Sequence, residues 1–412
     1  MMAVQSRESR TAARRVGAAL MVAALVSGLA PEARAEPYMA IREGRKCGTC
    51  HVNNTGGGMR TLLANTHLEK ITHYRDIFPD LGETADVWNG QLTSFFSVGG
   101  DLRVADSIVF QDRPDESGRV PHEFLRDRVD QNVLDVRKGA LYFDIQLVED
   151  FLSIYTDLNL APGSAVAREV FGLLEGVIPW QGYFKAGRFF IDYGLKMETD
   201  NLFSVDTPSQ DLFVRGRTGT GFTGFDSGFE IGFQPGPWHL TASVTDSSSG
   251  DARVRVTTNA YGMWRGLPVI DNAMLGTSFL YNSPNGQDQY MYGFYGGSTL
   301  GPLEYQAEID FIHQSFAERS PVGTFLAYGE VNYLLLDWIN AKAFGEYADN
   351  DGMLSSGDVA RTGTAQNRFG FGVEPFLGRF LQARLFYSIA NGPKDVPQTN
   401  QNRVVLELHV FF

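Results

Sequence analysis

The chain has 412 residues, with 30 phenylalanines and only two cysteines, which suits one large fold better than a small disulfide-stabilised domain. Its formal net charge of −13, from 48 acidic and 35 basic residues, argues against a protein that binds nucleic-acid phosphates through clustered Lys and Arg. Beyond the first thirty residues, no apolar run approaches the roughly 18 residues that a membrane-spanning helix needs. This excludes a helical membrane protein.

The first 35 residues have the features of a secretory signal peptide. A basic leader ending at Arg14-Arg15 precedes an apolar stretch over 16–30 and a small-residue cleavage site at 33–35. The mature chain is expected to start at Glu36. The arginine pair also permits a twin-arginine signal, although the residues that should follow such a pair are missing. Either signal predicts export across an inner membrane.

A second segment, over 36–90, contains both cysteines in the arrangement Cys47-Gly48-Thr49-Cys50-His51. The C-x-x-C-H spacing is typical of c-type haem attachment, in which two thioethers hold the porphyrin and the adjacent histidine ligates the iron. The alternative is a disulfide that happens to precede a histidine. Zinc is less favoured, because no second Cys/His pair stands at finger-like spacing. The motif therefore predicts one covalent haem c, held by Cys47, Cys50 and His51.

From residue 91 to 412 the sequence alternates apolar and polar residues in short segments, a pattern typical of a transmembrane β-barrel. The predicted fold is all-β, a barrel of about 16 antiparallel strands preceded by a small monohaem cytochrome c plug. The predicted strands are 94–109, 135–147, 150–160, 166–175, 181–190, 225–233, 237–246, 257–265, 271–281, 289–298, 302–313, 324–335, 338–348, 366–376, 379–389 and 403–412.

The connections between these strands alternate in length. Tight turns are predicted at Asp150, 235–237, 266–268, 301–302, Asp337 and Gly378, and long polar stretches at 112–134, 191–224, 247–256, 314–323, 349–365 and 390–402. Short turns at one end and long loops at the other are typical of outer-membrane barrels. With both termini in the periplasm, 112–134 and 191–224 are predicted to be extracellular loops.

The last predicted strand shows the alternation most clearly. Its even-numbered positions from Val404 to Phe412 are apolar, whereas the other set contains Arg403, Glu407 and His409. One face is expected to meet outer-membrane lipid and the other the lumen. A soluble β-sandwich would also alternate, but it needs neither the loop asymmetry nor the terminal Phe412. The terminal phenylalanine resembles the C-terminal signal of bacterial outer-membrane proteins.

The same register applied to the other strands predicts a polar lumen in which acidic residues outnumber basic ones, and which therefore favours cations. A one-residue register error would reverse the faces of a strand. The predicted lumen residues are Asp144, Gln146, Asp157, Asn159, Glu304, Gln306, Glu308, Asp310, Glu330, Asn332, Lys342, Glu346, Arg368, Glu374 and Arg384.

The combination of signal peptide, one C-x-x-C-H motif and a C-terminal barrel resembles the fused outer-membrane porin-cytochromes, including the iron-oxidising outer-membrane cytochromes. The resemblance is carried by 36–44, 47–51 and 53–58, and the barrel matches only in kind. It implies that Cys47 and Cys50 carry the haem, that His51 is an axial ligand, and that electrons cross the outer membrane. The haem would then lie in the lumen or at its periplasmic mouth. Gly56-Gly57-Gly58 would either pass close to the porphyrin or act as a flexible linker.

The sixth iron ligand stays open at this point. Met59, His67 and His73 lie in the predicted plug, and His239 and His409 are predicted to face the lumen near its periplasmic rim. Supply from within the plug is simplest, since it does not depend on the barrel register. His122 and His313 are predicted to be loop or rim residues.

Three functions fit these features. The first is electron transfer between an extracellular donor or acceptor, most plausibly Fe(II), and a periplasmic c-type cytochrome, which would make the protein an iron(II):cytochrome c oxidoreductase or a plain electron carrier. The second is a diffusive porin with a structural or sensory haem plug, and the third is a barrel-tethered haem enzyme. No catalytic hydrolase motif is evident.

An acidic cluster in the first long loop is the predicted cation-attracting patch for Fe(II), because carboxylates attract and bind divalent cations. A solvated acidic loop is the alternative. The cluster comprises Asp112, Asp115, Glu116, Glu123, Asp127 and Asp130.

Overall fold

The computed structural model describes residues 37–61, 63–64, 90–111, 129–160, 166–195, 225–246, 254–283, 288–315, 321–349, 365–378, 380–392, 394 and 400–412. Two short helices, α1 (Pro37–Glu43) and α2 (Cys47–Cys50), precede a short strand β1 (Gln91–Thr93). Neither helix is long and apolar enough to cross a membrane, and no other helix of the described residues is either. The predicted signal peptide lies outside the described residues.

Sixteen antiparallel strands form a closed barrel, as the sequence predicts. Each strand pairs with its neighbours in the chain, and β17 pairs with β2 to close the ring. The strands are β2 (Phe96–Phe110), β3 (Val129–Val148), β4 (Leu152–Asn159), β5 (Val166–Ile178), β6 (Gly182–Phe190), β7 (Phe225–Phe233), β8 (Trp238–Thr245), β9 (Arg255–Arg265), β10 (Asn272–Asn282), β11 (Asp288–Leu300), β12 (Leu303–Ser315), β13 (Val322–Leu336), β14 (Ile339–Asp349), β15 (Gln366–Gly378), β16 (Leu381–Asn391) and β17 (Gln401–Phe411).

All sixteen predicted strands are present in the predicted order, and two details differ. Strand β3 begins at Val129, so the last six residues of the predicted loop 112–134 belong to the barrel wall. Strand β1 was not predicted; it pairs with the start of β2. Both differences lie at strand ends, where pairing with a neighbour extends a strand beyond the segment with clear alternation.

The two ends of the barrel differ in the length of their connections. The seven connections from an odd-numbered strand to the next, beginning with β3 to β4, have two to six residues and form what we call the short-turn end. The connections at the opposite end, the long-loop end, are longer on average. The chain enters β2 and leaves β17 at the short-turn end, so the described start of the barrel and its C-terminus lie together there.

Strand β8 shows how the sequence sets the two faces of the wall. Trp238, Leu240 and Val244 are exposed on the outside, whereas His239 and Thr241 are buried inside. This apolar-out, polar-in pattern is the inverse of a soluble β-sandwich and suits a wall in contact with lipid. The same pattern holds in β17, where Leu406 and Leu408 are exposed and Glu407 and His409 are buried.

The predicted lumen residues confirm this register. All fifteen except the half-buried Gln146 and Asn159 are buried. Aromatic side chains also pair at both ends of the outer wall, as in the aromatic girdles of membrane barrels. Trp180 contacts Phe233 and Trp238 contacts Trp264 at the short-turn end, and rings of Tyr281, Tyr290, Tyr292, Phe311, Phe325 and Tyr347 pair toward the long-loop end.

Candidate functional site: a plug and a cleft inside the barrel

The N-terminal segment, residues 37–61, lies inside the short-turn half of the lumen; we call it the plug. Its first helix, α1, contacts β10, β11 and β12. Lys46 Nζ donates to the carbonyl of Gly236 at 2.7 Å, and Asn272 Nδ2 donates to the carbonyl of Arg42 at 2.5 Å. These bonds join the plug to the short-turn end of the wall, near where α1 ends.

The C-x-x-C-H motif forms α2 and the residue after it. The His51 backbone N–H donates to the Cys47 carbonyl at 3.0 Å, which closes the single helical turn, and the Cys47 N–H donates to the hydroxyl oxygen of Tyr261 at 3.3 Å. Both cysteines are free. Burial raises the pKa of Cys47 to about 11 and also raises that of Cys50, so both thiols are protonated at neutral pH.

A tight loop after the motif brings Arg60 beside His51. The two residues form an isolated antiparallel bridge, and the Val52 N–H donates to the Met59 carbonyl at 3.0 Å. The loop turns through three consecutive glycines with left-handed backbone: φ is +99° at Gly56, +74° at Gly57 and +63° at Gly58. Other residues rarely adopt this conformation, so the triplet has a defined shape here and is not a plain linker.

The glycine loop also lies tightly against the wall. A Cβ on Gly58 would overlap the hydroxyl of Tyr155, which itself accepts a 3.0 Å hydrogen bond from the Met59 N–H. On the other side, a Cβ on Gly56 would lie 3.2 Å from Cys47 Cβ. In the structure, the glycine loop therefore lies close to Tyr155 of the wall and to Cys47 of the motif.

Polar contacts fix the plug to β5, β6 and β7. Asn53 donates to Glu169 Oε1 at 3.1 Å and accepts from Lys185 Nζ at 2.9 Å. Lys185, which is fully buried, also bonds Glu230 Oε1 at 2.7 Å. A second asparagine, Asn54, donates to Glu175 at 2.9 Å. Buried, charge-assisted bonds of this kind hold a segment in one position.

A cleft of about 40 Å³ lies between the plug and the wall formed by β2, β3, β15, β16 and β17. This is smaller than the roughly 300–1,000 Å³ usual for cofactor pockets, so a cofactor bound here would require the plug and the wall to move apart. His51 lines the cleft, and the backbone of Gly57 and Gly58 lies beside its ring. Burial, with a smaller contribution from Arg60, lowers the pKa of His51 to about 4, which leaves a neutral imidazole at neutral pH.

Basic residues surround the cleft. Arg60, Arg103, Lys138 and Arg384 line it, whereas Asp101 is its one acidic lining residue among the described part of the chain. Asp101 is already shared, at 2.9 Å by Arg103 Nε and at 2.8 Å by Lys138 Nζ. The Nη1 atoms of Arg60 and Arg103 are buried and have no hydrogen-bond partner among the described residues. Buried donors of this kind are able to bind an anionic acceptor.

The predicted sixth-ligand candidates are separated by the structure. His409 lines the cleft with His51. Met59 is buried against Tyr142 and Tyr155 and does not line it. His239 stacks on Tyr261 with ring centroids 4.8 Å apart, also away from the cleft. His67, His73 and His122 lie outside the described residues, and His313 lies near the long-loop end of β12.

The segment after β6 corrects one predicted loop. The sequence places all of 191–224 outside the barrel, but 191–195 folds into the lumen and reaches the opposite wall. Tyr193 Oη donates to Asp310 at 3.0 Å, and the Leu195 N–H donates to Glu308 Oε2 at 2.9 Å. Ile191 and Tyr193 are fully buried. Residues 196–224 lie outside the described part.

Sequence reasoning missed the basic side of the cleft. Arg103 and Lys138 lie on strands whose alternation could have placed them in the lumen, but nothing in the sequence indicated that Arg60 would join them. The predicted acidic patch over 112–127 lies outside the described residues, as does the side chain of Asp130. Among the described residues, no group of three or more His, Cys, Asp or Glu is arranged to hold a metal ion.

Comparisons with known proteins match the barrel. No family model matches the chain, and no curated protein sequence does. Three solved structures are similar at 11–12% identity, and each match covers 77% of this chain. They are a loop-deletion mutant of OmpT from Vibrio cholerae (TM-score 0.53, 99% of that chain covered) and the outer membrane channel DcaP of Acinetobacter baumannii (TM-score 0.54, 97% covered). The third is an anion-selective porin from Comamonas acidovorans (TM-score 0.53, 99% covered). The fold is therefore that of a porin-type barrel.

Proposed function

We propose that this protein is a bacterial outer-membrane barrel that holds one covalent c-type haem in its plug and passes electrons between the cell exterior and a periplasmic c-type cytochrome. The observation that carries the proposal is the position of Cys47, Cys50 and His51 inside the lumen, next to a cleft lined by His51. The apolar outer wall, the aromatic girdles and the porin-type fold support the outer membrane as its location.

The residues around the cleft fit a c-type haem. Two free thiols at C-x-x-C spacing would form the thioethers, and the neutral His51 imidazole would ligate the iron. The unpaired Nη1 atoms of Arg60 and Arg103 would take the two carboxylates of the porphyrin edge. A haem held here would supply one-electron transfer.

The chain's own residues support this role in three ways. Asn53, Lys185 and Tyr155 hold the plug in one position, which keeps the distance to a redox partner constant. Arg60, whose guanidinium carbon lies 3.7 Å from the ring centroid of Phe411, and the cleft's aromatic residues reduce access of water to the site. The short-turn half of the lumen places the site near the end that the periplasmic partner would approach.

Extracellular Fe(II) is the proposed donor. The lumen wall of β12 to β15, next to the cleft wall, buries six carboxylates and two basic side chains, and acidic surfaces concentrate cations. The carboxylates are Glu304, Glu308, Asp310, Glu330, Glu346 and Glu374, and the basic residues are Lys342 and Arg368. The protein would then act as an iron(II):cytochrome c oxidoreductase.

The second candidate function is a diffusive porin whose plug has a structural role. Similar solved structures are described as a channel and as an anion-selective porin, and the lumen wall is polar, as diffusion of solutes requires. The plug and the inward segment 191–195 count against it, because both occupy the lumen.

Three measurements on the purified full-length protein separate these functions. Pyridine haemochrome analysis of protein made in a host with haem-attachment machinery should give one covalent haem per chain, and Fe(II) should reduce it in a potentiometric titration. Planar-bilayer recordings should show little current. Large open-channel currents together with absent haem would replace electron transfer by the diffusive porin.

A further inference from the structure

We propose that His409, on the barrel wall, is the iron ligand on the face of the haem opposite His51. This inference rests on the proposed function and adds the residue that completes the site. The two histidines come from opposite ends of the described chain, yet both line the cleft between the plug and the wall. The wall, and not the plug, would then supply the sixth ligand.

The hydrogen bonds around His409 define which ring nitrogen is free. Arg384 Nε donates to Gln382 Oε1 at 3.1 Å, which fixes the amide oxygen on the side that also faces His409 Nδ1, 3.3 Å away. A carbonyl oxygen only accepts, so His409 Nδ1 carries the hydrogen and Nε2 carries the lone pair. Metal-binding histidines usually donate their second ring N–H to such an oxygen.

The free nitrogen has a poor partner in the protein. His409 Nε2 is buried and lies 3.1 Å from Asp101 Oδ1, with which it forms an ion pair only when the ring is protonated. A lone pair and a carboxylate oxygen repel each other at this distance. Protonation of the ring would remove that repulsion but would add a cation beside Arg103, its cross-strand partner, and Arg384. An iron ion is the partner that Nε2 lacks.

Asp101 does not need His409. Arg103 donates two hydrogen bonds to it, at 2.9 and 3.1 Å, and Lys138 donates a third at 2.8 Å. His409 is therefore able to turn from the carboxylate to iron while Asp101 stays paired. The other described candidates are less suited: Met59 packs against Tyr142 and Tyr155, and His239 stacks on Tyr261.

The test uses the spin state of the haem in the full-length protein and does not depend on activity. Haem content is measured first by pyridine haemochrome. Ferric wild-type protein should be low-spin by electron paramagnetic resonance, and its ferrous form should not bind CO. His409→Ala should convert the ferric haem to high spin and allow CO to bind, and added imidazole should restore the low-spin signal.

Two further variants test whether misfolding or an unspecific effect explains the result for His409→Ala. His409→Met should assemble and give a low-spin haem with a raised reduction potential, because Met ligation raises the potential relative to His. His239→Ala removes another buried lumen histidine and should leave the wild-type spectrum.

The outcomes separate the two proposals. A His409→Ala protein that stays low-spin and excludes CO, or a His409→Met protein whose potential equals that of the wild type, overturns the ligand assignment while the haem remains. A wild-type chain with no covalent haem overturns the proposed function itself, and the ligand assignment with it.

Discussion

One wall of the lumen and the cleft beside the plug differ in charge. The wall of β12 to β15 buries more carboxylates than basic side chains, and asparagines of the same wall donate hydrogen bonds to two of them. Glu304 accepts from Asn332 at 2.7 Å, and Glu374 accepts from Asn340 at 3.1 Å. The cleft beside β2, β3, β16 and β17 is lined by four basic residues and one acidic residue, and donors on Arg103 and on Arg60 of the plug remain unpaired. Carboxylates of a ligand in the cleft would pair with these donors.

The difference also indicates how one lumen would serve two partners. An acidic wall attracts a small cation, whereas a basic cleft suits a cofactor whose edge carries carboxylates. A lumen with only one sign of charge would attract either the cation or the carboxylate-bearing cofactor and would repel the other.

Removing the two thiols is expected to have the largest effect, which is on the haem content of the cleft. Cys47→Ala with Cys50→Ala should reduce covalent haem from one per chain to none, because no thioether can form, and should leave the basic cleft without its ligand. Pyridine haemochrome analysis measures the haem, and heat-modifiable electrophoretic mobility verifies barrel assembly. Haem that stays covalently attached in the double variant would refute the motif assignment.

Loosening the plug from the wall should have the next largest effect. Lys185→Met leaves the buried carboxylate of Glu230 without its cation, which costs about 3–5 kcal/mol, and also removes a bond to Asn53. Thermal loss of the haem absorption band should occur at a lower temperature. Arg255→Met is the matched control, since Arg255 pairs with Asp226 at 2.6 Å. Equal losses of the haem band in both variants would show that Lys185 does not hold the plug.

The glycine loop should show a smaller effect. Gly58→Ala places a side chain at φ +63° and against Tyr155, with a backbone cost of about 1–3 kcal/mol and a steric overlap in addition. Haem incorporation should fall. Gly266→Ala, at a wall turn, has the same backbone strain, at φ +65°, but no atom within 4 Å of its new Cβ. Normal incorporation in Gly266→Ala and reduced incorporation in Gly58→Ala would assign the loss to contact with the wall.

Removing one carboxylate from the acidic wall of β12 to β15 should have the smallest effect, which is on the rate of haem reduction by Fe(II). Glu330→Gln removes one carboxylate that accepts from Gln306 and Asn332, both at 2.7 Å, while keeping its shape. Stopped-flow reduction of the haem by Fe(II) should slow by about two-fold, as expected when one charge of several is lost. Reduction should also slow as salt screens the wall. A small neutral reductant is the control, and no reduction by Fe(II) at any salt would remove iron as the donor.

Much of the barrel follows from the sequence alone. Period-two alternation fixes which residues face lipid, because successive side chains of a strand point to opposite sides. In β17 this assigned His409 and Glu407 to the lumen and Leu406 and Leu408 to the outside, as the structure has them. The turn residues at the short-turn end fixed strand order, since two-residue connections join only adjacent antiparallel strands. The C-x-x-C-H motif is also visible in the sequence because it depends on local spacing, and haem attachment there stays a prediction.

Only the tertiary structure decided which distant residues meet. Arg60 joins Arg103 and Lys138 because the glycine loop folds back through left-handed backbone, and no periodicity predicts that fold. The inward turn of 191–195 depends on partners such as Asp310 across the lumen. His409 lines the same cleft as His51 because closure of β17 on β2 sets the position of the last strand around the plug. The local alternation of apolar and polar residues determines whether a side chain points to lipid or to the lumen. Which residues it meets across the lumen depends on how all sixteen strands close into the barrel.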